Sequence, residues 1–347
     1  MKTREIKVKN IAIGGNSPIT VQSMCNTLTE DVSATIKQIL ELESVGCDIV
    51  RVSVNNERAG LALNEIVKGI HIPLVADIHF DYKLAILSAE NGASKIRINP
   101  GNIGGEQKVK YVADFLRERD IPIRIGVNEG SLESEFNHLP RVDALVKSAL
   151  KHITILEKAN FYNTIVSIKS SNIKNMVNAN KLFSEVSDYP LHIGVTEAGT
   201  FERGIIKNSV GIGALLLNGI GNTIRVSLAD EPTKEVIAGK ILLTSLGLKK
   251  GVEVIACPTC ARTNIPVAEL ANKVEKLTAS LDLPLKIAVM GCVVNGIGEA
   301  GDADFGVAGG VGHSILFKNG KKIKVIENDK IMAELEAMIN EATNEKV

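Results

Sequence analysis

Short β-branched runs alternate with amphipathic helical segments from residue 19 to about residue 246, and this alternation limits the possible folds most. The strand candidates are Ile19–Gln22, Asp48–Val54, Pro73–Ile78, Lys95–Asn99, Pro122–Asn128, Thr164–Lys169, Leu191–Thr196 and Thr223–Leu228. Helix-like stretches lie between and after them, over Asp31–Val45, Glu57–Lys68, Tyr82–Asn91, Glu106–Arg119, Arg141–Ala159, Lys174–Val186, Arg203–Leu217 and Thr233–Leu246. Strands that are apolar along most of their length, each followed by a helix, belong to a parallel sheet covered by helices. Eight such units predict a closed (β/α)8 TIM barrel rather than an open doubly wound sheet. No Gly-x-Gly-x-x-Gly follows the first strand, which weighs further against a dinucleotide fold.

The pattern changes after Leu246-Gly247-Leu248-Lys249-Lys250-Gly251, which reads as a helix stop and a short linker. Beyond it come a strand at Glu253–Ala256, a helix at Val267–Leu281, a strand at Leu285–Val289 and a glycine-rich stretch, Gly291–Gly312. A hairpin, Ser314–Lys318 with Lys322–Ile326, turns at Asn319-Gly320, and a last helix runs from about Asp329 to Ala342. The chain of 347 residues exceeds the size at which one core stops growing, about 250–300 residues. Two domains are therefore expected, a barrel over 1–248 and a small α+β domain over 249–347.

Lysine plus arginine and aspartate plus glutamate are equal at 40 each, so no global field draws nucleic acid or an anionic membrane to the chain. An anion site must be built locally. The opening Met1-Lys2-Thr3-Arg4-Glu5 lacks the apolar core of a secretory signal. The most apolar stretch, Val210 to Ile220, is too short to span a bilayer. A cytoplasmic protein is expected.

In a barrel of this kind, chemistry sits at the C-terminal ends of the strands. Here those ends are polar: Gln22, Arg51, Asp77 with His79, Arg97 with Asn99, Arg124 with Asn128, Lys169, Glu197, and Arg225 with Ser227. An arginine in an apolar strand is costly unless an anion or a carboxylate meets its charge. Only Asp77 and Glu197 stand out as local carboxylates, so Arg51, Arg97, Arg124 and Lys169 point to a ligand with two or more negative charges, such as a diphosphate. The loop Asn99-Pro100-Gly101-Asn102-Ile103-Gly104-Gly105 could add backbone donors.

Cysteines are placed unevenly: Cys25 and Cys47 lie early, while Cys257, Cys260 and Cys292 fall in the last third. Cys25 is expected near the barrel mouth and Cys47 on a helix in the core. Cys257-Pro258-Thr259-Cys260 and Cys292 each follow a strand, so two strand ends can bring three thiolates together. A structural zinc would want four ligands, and His313 is the only histidine after Cys257. A thioredoxin-like pair would leave Cys292 unused. An iron–sulfur cluster on three cysteines keeps one iron open to a non-thiolate ligand. In Cys292-Val293-Val294-Asn295-Gly296-Ile297-Gly298-Glu299 the glycines permit a sharp turn that would carry Glu299 back toward the metal.

These segments resemble the bacterial 4-hydroxy-3-methylbut-2-enyl diphosphate synthases of the non-mevalonate isoprenoid pathway. The resemblance runs over nearly the whole chain, through Val21-Gln22-Ser23-Met24, Ala76-Asp77-Ile78-His79-Phe80, Lys95-Ile96-Arg97-Ile98-Asn99-Pro100-Gly101-Asn102 and Ile123-Arg124-Ile125-Gly126-Val127-Asn128. It continues in Gly194-Val195-Thr196-Glu197-Ala198-Gly199, Ile224-Arg225-Val226-Ser227-Leu228, Cys-Pro-Thr-Cys and the Asn-Gly-x-Gly-Glu run. It implies reductive opening of 2-C-methyl-D-erythritol 2,4-cyclodiphosphate, with electrons from flavodoxin or ferredoxin. It also implies a [4Fe–4S] cluster on Cys257, Cys260 and Cys292, with Glu299 as fourth, displaceable ligand. Arg51, Arg97, Arg124 and Lys169 would hold the diphosphate, helped by Asp77, His79, Asn99, Asn128 and Ser227, and Glu197 would handle a proton. A head-to-tail homodimer is implied as well.

The chain departs from the family at Ile297, where proline is common, and at Cys25, where threonine is common; the large insertion of plant members is absent. A pterin-binding barrel transferase and a zinc-stabilised non-catalytic module are the competing readings. Labile sulfide separates them from the first.

Overall fold

The computed structural model describes residues 2–345 apart from Pro100, Ser280 and Asn295. Pro100 of the glycine-rich loop, Asn295 of the Asn-Gly-x-Gly-Glu run and Ser280 of the Val267–Leu281 helix candidate therefore lie outside the described residues. The chain divides into two compact units, Met1–Leu246 and Gly247–Val347. No helix among the described residues is long and apolar enough to cross a membrane.

The first unit opens with an antiparallel hairpin of β1 (Glu5–Val8) and β2 (Ile11–Gly14). Ile6, Val8 and Ile13 are buried against Ile49, Val75 and Ile165, which stand near the starts of barrel strands. The hairpin thus closes the N-terminal end of the barrel. The sequence reading missed it, because two strands of only four residues each, one of them with charges at alternate positions, carry too little pattern.

The barrel strands are β3 (Thr20–Met24), β4 (Ile49–Ser53), β5 (Leu74–Asp77), β6 (Lys95–Ile98), β7 (Ile123–Asn128), β8 (Thr164–Lys169), β9 (His192–Ile193) and β10 (Thr223–Ile224). They are parallel and ordered β8-β7-β6-β5-β4-β3-β10-β9. A parallel bridge between Val166 and Leu191 joins the two ends, so the sheet closes on itself. The alternation therefore folds into the expected barrel.

One helix follows each strand: α1 (Val32–Ser44), α2 (Glu57–Lys68), α3 (Tyr82–Glu90), α4 (Glu106–Arg117), α5 (Arg141–Lys158), α6 (Ile173–Val186), α7 (Phe201–Leu216) and α8 (Pro232–Ser245). Asp31, Asn56, Asp81 and Asn172 start four of them by accepting a hydrogen bond from a first-turn N–H. Pro232 opens α8, where its fixed φ fits and its missing N–H costs nothing.

β9 and β10 are shorter than the expected Leu191–Thr196 and Thr223–Leu228. Asn208 of α7 supplies the reason: its Oδ1 accepts from the Val195 N–H at 3.3 Å and its Nδ2 donates to the Ser227 carbonyl at 3.1 Å. One side-chain amide takes groups that a longer ladder would have paired. Cys47, expected on a helix, lies in the buried connection between α1 and β4, because α1 ends at Ser44.

The second unit carries β11 (Val252–Ala256), α9 (Val267–Thr278), β12 (Leu285–Met290), α10 (Gly296–Glu299), β13 (Phe305–Ala308), β14 (His313–Lys318), β15 (Lys321–Glu327) and α11 (Ile331–Glu345). The sheet runs in sequence order, parallel for β11–β13 and antiparallel for β13–β15. Asn319 and Gly320 turn the hairpin with φ of 51° and 70°. β13 lies inside the glycine-rich stretch and was not anticipated. Its Gly306 is there for closeness, since a Cβ would stand 2.3 Å from the Ala288 carbonyl oxygen.

Candidate functional site

Side chains two apart on a strand share a face, so Lys95 and Arg97 on β6 turn the same way, as do Arg124 and Gly126 on β7. Lys95, Arg97, Arg124 and Lys169 are all buried. Asp77, at the end of β5, is the hub. Its Oδ1 accepts from Arg97 Nη1 at 2.9 Å, Arg51 Nε lies 3.7 Å from Oδ2, and His79 Nε2 lies 3.7 Å from Oδ1. Burial alone would raise the Asp77 pKa, but Arg51, with His79, Arg97 and Arg124, holds the carboxyl well below the usual range.

Arg225 is neutralised separately. Its Nε and Nη2 donate to the two oxygens of Glu235 at 3.1 and 3.2 Å, and Glu235 also accepts from Ser23 Oγ and the Leu228 N–H, each at 3.0 Å. Glu235 is the carboxylate that sequence reasoning missed, although it lies only ten residues after Arg225 on the first turn of the next helix. Glu197, expected beside Asp77 as a partner for the cations, is exposed and makes no ion pair with a described residue. Its left-handed φ of 52° sets it in the loop beyond β9.

Among the described residues of this region, the six cations Arg51, Lys95, Arg97, Arg124, Lys169 and Arg225 meet two buried carboxylates, Asp77 and Glu235. The imbalance appears in the ionisation of the groups. Burial, followed by Arg124 and Arg51, lowers Lys95 well below the usual lysine value. Burial, followed by Arg225, Arg124 and Arg51, does the same to Lys169. Arg51 falls to about 10 for the same kind of reason, with Asp77 offsetting part of it. Burial, followed by Arg51 and Arg97, pushes Arg124 well below the usual arginine value; since an arginine keeps its proton in practice, this is a charge that an anion would stabilise.

Other contacts are equally provisional. Arg51 Nε and Nη2 donate to the Met24 sulfur at 3.0 and 2.7 Å, and a thioether is a weak acceptor that an anionic oxygen outcompetes. Among the described residues Lys95 Nζ reaches only the Gln22 side-chain oxygen, at 3.3 Å. Asn128 stands opposite Lys169 in the β7–β8 ladder, and Asn99 is buried just past β6. Ser227 is half-buried past β10, its carbonyl held by Asn208. This end of the barrel gains by taking up a compact ligand with several negative charges.

The second unit builds its own site. The parallel ladder sets Ala256 opposite Val289, so Cys257 and Cys292 emerge at the same end of β11 and β12. Cys257, Cys260, Cys292 and Glu299 line one cavity of about 220 Å³, with Thr263, Met290, Gly291 and Gly296. Thr259 adopts a φ of 61°, which folds the Cys257–Cys260 segment tightly. Thr263 closes it, its N–H donating to the Cys260 carbonyl and its hydroxyl accepting the Cys260 N–H, both at 3.0 Å. The Gly291 N–H donates to Cys257 Sγ at 3.1 Å.

Glu299 arrives differently from the expectation. The Gly296–Glu299 segment is one helical turn, α10, rather than a sharp turn. Gly296 matters for packing: a Cβ there would lie 2.9 Å from the Ala308 Cβ and 3.0 Å from the Met290 Cβ. Ile297 packs beside the cluster of Ala288, Met290, Ala300, Ala303, Ala308 and Phe317. Among the described residues no three His, Cys, Asp or Glu side chains converge as the ligands of one ion would. A cubane cluster asks less of them, because each of its irons takes a separate ligand. Cys25 and Cys47 stand apart, their thiols pushed up by burial to about 12.

Residues 3–240 match the GcpE TIM-barrel domain and residues 253–341 match the GcpE protein C-terminal domain. The chain belongs to the GcpE family. A relative from Caldanaerobacter subterraneus is 55% identical over 99% of this chain and 98% of its own length; another from Clostridium tetani is 54% identical over 99% of each. Both are named 4-hydroxy-3-methylbut-2-en-1-yl diphosphate synthase (flavodoxin). Among solved structures, the dihydropteroate synthase of Yersinia pestis aligns with a TM-score of 0.52 at 13% identity, covering 70% of this GcpE-family chain and 98% of the other. The 3-dehydroquinate dehydratase of Geobacillus kaustophilus gives 0.52 at 14% over 70% and 96%. At that identity these two share the barrel fold and nothing further is read from them.

Proposed function

We propose that this chain catalyses the reductive ring opening of 2-C-methyl-D-erythritol 2,4-cyclodiphosphate to 4-hydroxy-3-methylbut-2-enyl diphosphate. The substrate takes up two electrons and two protons, the ring C–O bond to the diphosphate breaks, and one hydroxyl leaves as water. The relatives' names support this reading over a pterin-binding transferase or a zinc-stabilised module. The observation that carries it is the cavity lined by three cysteines and a glutamate, in a chain whose barrel gathers cations around too few carboxylates.

Arg51, Arg97, Arg124 and Lys169 would hold the diphosphate, with Asp77, His79, Asn99, Asn128 and Ser227 completing the contacts. Asp77 orients Arg51 and Arg97, and the pull of so many cations keeps it ionised. Cys257, Cys260 and Cys292 would bind a [4Fe–4S] cluster, with Glu299 as the exchangeable fourth ligand. The donor set fits: three soft sulfurs, one of them accepting a backbone N–H, and one carboxylate. When bound, the cluster would supply the electrons and Lewis acidity for the reductive C–O cleavage. Glu197, exposed and free of ion pairs to described residues, would exchange a proton with solvent.

Flavodoxin, present in the relatives' names, is the donor we propose, with ferredoxin able to fill the same role. A head-to-tail homodimer is the proposed assembly and the cytoplasm the proposed location, where the protein's cysteines stay reduced. The deciving experiment is metal and sulfide analysis on protein purified without oxygen, followed by turnover of the cyclic diphosphate. About four irons and four labile sulfides per chain, with turnover, are expected. One zinc without sulfide would sink the reading.

A further inference from the structure

Two loops at the barrel mouth are tied together by a buried histidine that the proposed chemistry does not use. His152, on α5, is fully buried. Its Nδ1 accepts a hydrogen bond from the Gly101 N–H at 3.2 Å. That same N–H lies 3.2 Å from Asn99 Oδ1, so its hydrogen is shared between ring and side chain. On the other edge of the ring, Nε2 lies 2.9 Å from Glu133 Oε1, close but off the line of an ideal hydrogen bond. Glu133 belongs to the loop after β7, and its Oε2 accepts from Ser148 Oγ, one turn before His152, at 2.7 Å.

This arrangement fixes the ring chemically. Accepting at Nδ1 requires that the proton sit on Nε2, facing the carboxylate, as in other histidines oriented by an acidic partner. Burial lowers the His152 pKa, against the pull of Glu133, so Nδ1 stays available as an acceptor at neutral pH. Gly101 is required for the approach: a Cβ there would stand 2.7 Å from the ring Cε1. Asn99 Oδ1 is committed to the Gly101 N–H, which leaves its amide nitrogen as the donor available to an anion.

We propose that His152 is a positioning residue for anion binding: held by Glu133, it anchors Gly101 and thereby sets Asn99 with its amide nitrogen ready to donate to the diphosphate. The inference rests on the proposed function, in which Asn99 touches the substrate. It goes further by assigning the loop's geometry to a residue that does not touch the substrate.

The test uses anaerobically prepared holoenzyme carrying His152→Leu or His152→Gln, compared with wild type. Glutamine retains a side-chain oxygen for the Gly101 N–H; leucine removes it. Steady-state KM and kcat for the cyclic diphosphate are measured, together with the Kd for inorganic pyrophosphate by calorimetry. The leucine variant should raise KM and the pyrophosphate Kd by about 5-fold, the loss of roughly one hydrogen bond, at unchanged iron content and near-constant kcat. The glutamine variant should recover most of that loss. A folded leucine variant that binds pyrophosphate like wild type overturns the proposal, as does a glutamine variant no better than leucine. If the leucine variant does not fold, Glu133→Gln replaces it and should raise the same Kd about 2-fold; no change there is equally fatal. Wild-type protein without turnover would sink the proposed reaction, while the pyrophosphate measurements would still decide the role of His152.

Discussion

A Cβ added to Gly126 would lie 2.6 Å from the Nε of Arg97, so the bare face of this glycine is the space that the guanidinium occupies. The two residues sit on neighbouring strands, where Arg97 pairs in register with Arg124. Gly126→Ala should therefore push Arg97 out of its contact with Asp77. We expect overpacking to cost about 1–3 kcal/mol of stability and to weaken pyrophosphate binding. Calorimetric titration checks this; an alanine variant with wild-type affinity would separate Arg97 from the anion site.

Glu235 is the sole described carboxylate paired with Arg225, and its side chain is 3% exposed. Glu235→Ala leaves a cation unpaired close to Arg51. Breaking a buried pair in this way is expected to cost about 3–5 kcal/mol. The urea midpoint of the variant should fall accordingly. A midpoint within error of wild type would mean that Arg225 finds another partner.

His192 is fully buried inside the barrel wall, and neither ring nitrogen has a hydrogen-bond partner among the described groups. Burial, then Arg124, Lys169 and Lys95, lowers its pKa well below 6.5, so the folded protein keeps it neutral. The unfolded chain takes up a proton near pH 6.5 and the folded chain does not. Stability from this group is complete above that pH and declines below it, by about 1.4 kcal/mol per pH unit until the folded form protonates. Replacement by glutamine should flatten the fall in melting temperature between pH 6.5 and 5. An unchanged pH profile would assign the acid sensitivity to other groups.

The cysteines should separate by role. Cys292→Ser is expected to lose most of its iron and its visible absorption, while Cys25→Ser keeps both, since Cys25 is a buried thiol after β3. Glu299→Ala should retain much of the iron and lose turnover, because its carboxylate is the exchangeable member of the ligand set we propose. Iron analysis with electron paramagnetic resonance distinguishes the three. Full iron in Cys292→Ser would remove that residue from the ligand set.

An anion should stabilise the barrel by relieving the repulsion among its cations. Pyrophosphate at about 100 times its Kd should add roughly 2.7 kcal/mol. The melting temperature should rise with ligand concentration in wild type and rise much less in Arg124→Ala. An equal rise in both would place the binding elsewhere.

Much of this protein was legible in one dimension. The strand and helix periods arise from local backbone geometry, which is why eight units could be counted from residue types alone. The cations were visible for the same reason, as charges interrupting apolar strands, and the cysteines because strand ends in a parallel ladder align. β1, β2 and β13 escaped because strands of four residues carry too little pattern to stand out from their polar or glycine-rich surroundings.

What the sequence determined alone was the order of elements and the kinds of groups available to a site. Tertiary structure decided which groups meet. Glu235 rather than Glu197 answers an arginine, Asn208 ends two strands early, and His152 reaches across from a helix to hold a loop 51 residues earlier. Each of these depends on where closed-barrel geometry places a side chain in space, and on whether a glycine such as Gly101 or Gly126 leaves room for it. Local propensity carries no record of such distances, because they are set by the packing of segments that are remote in the chain.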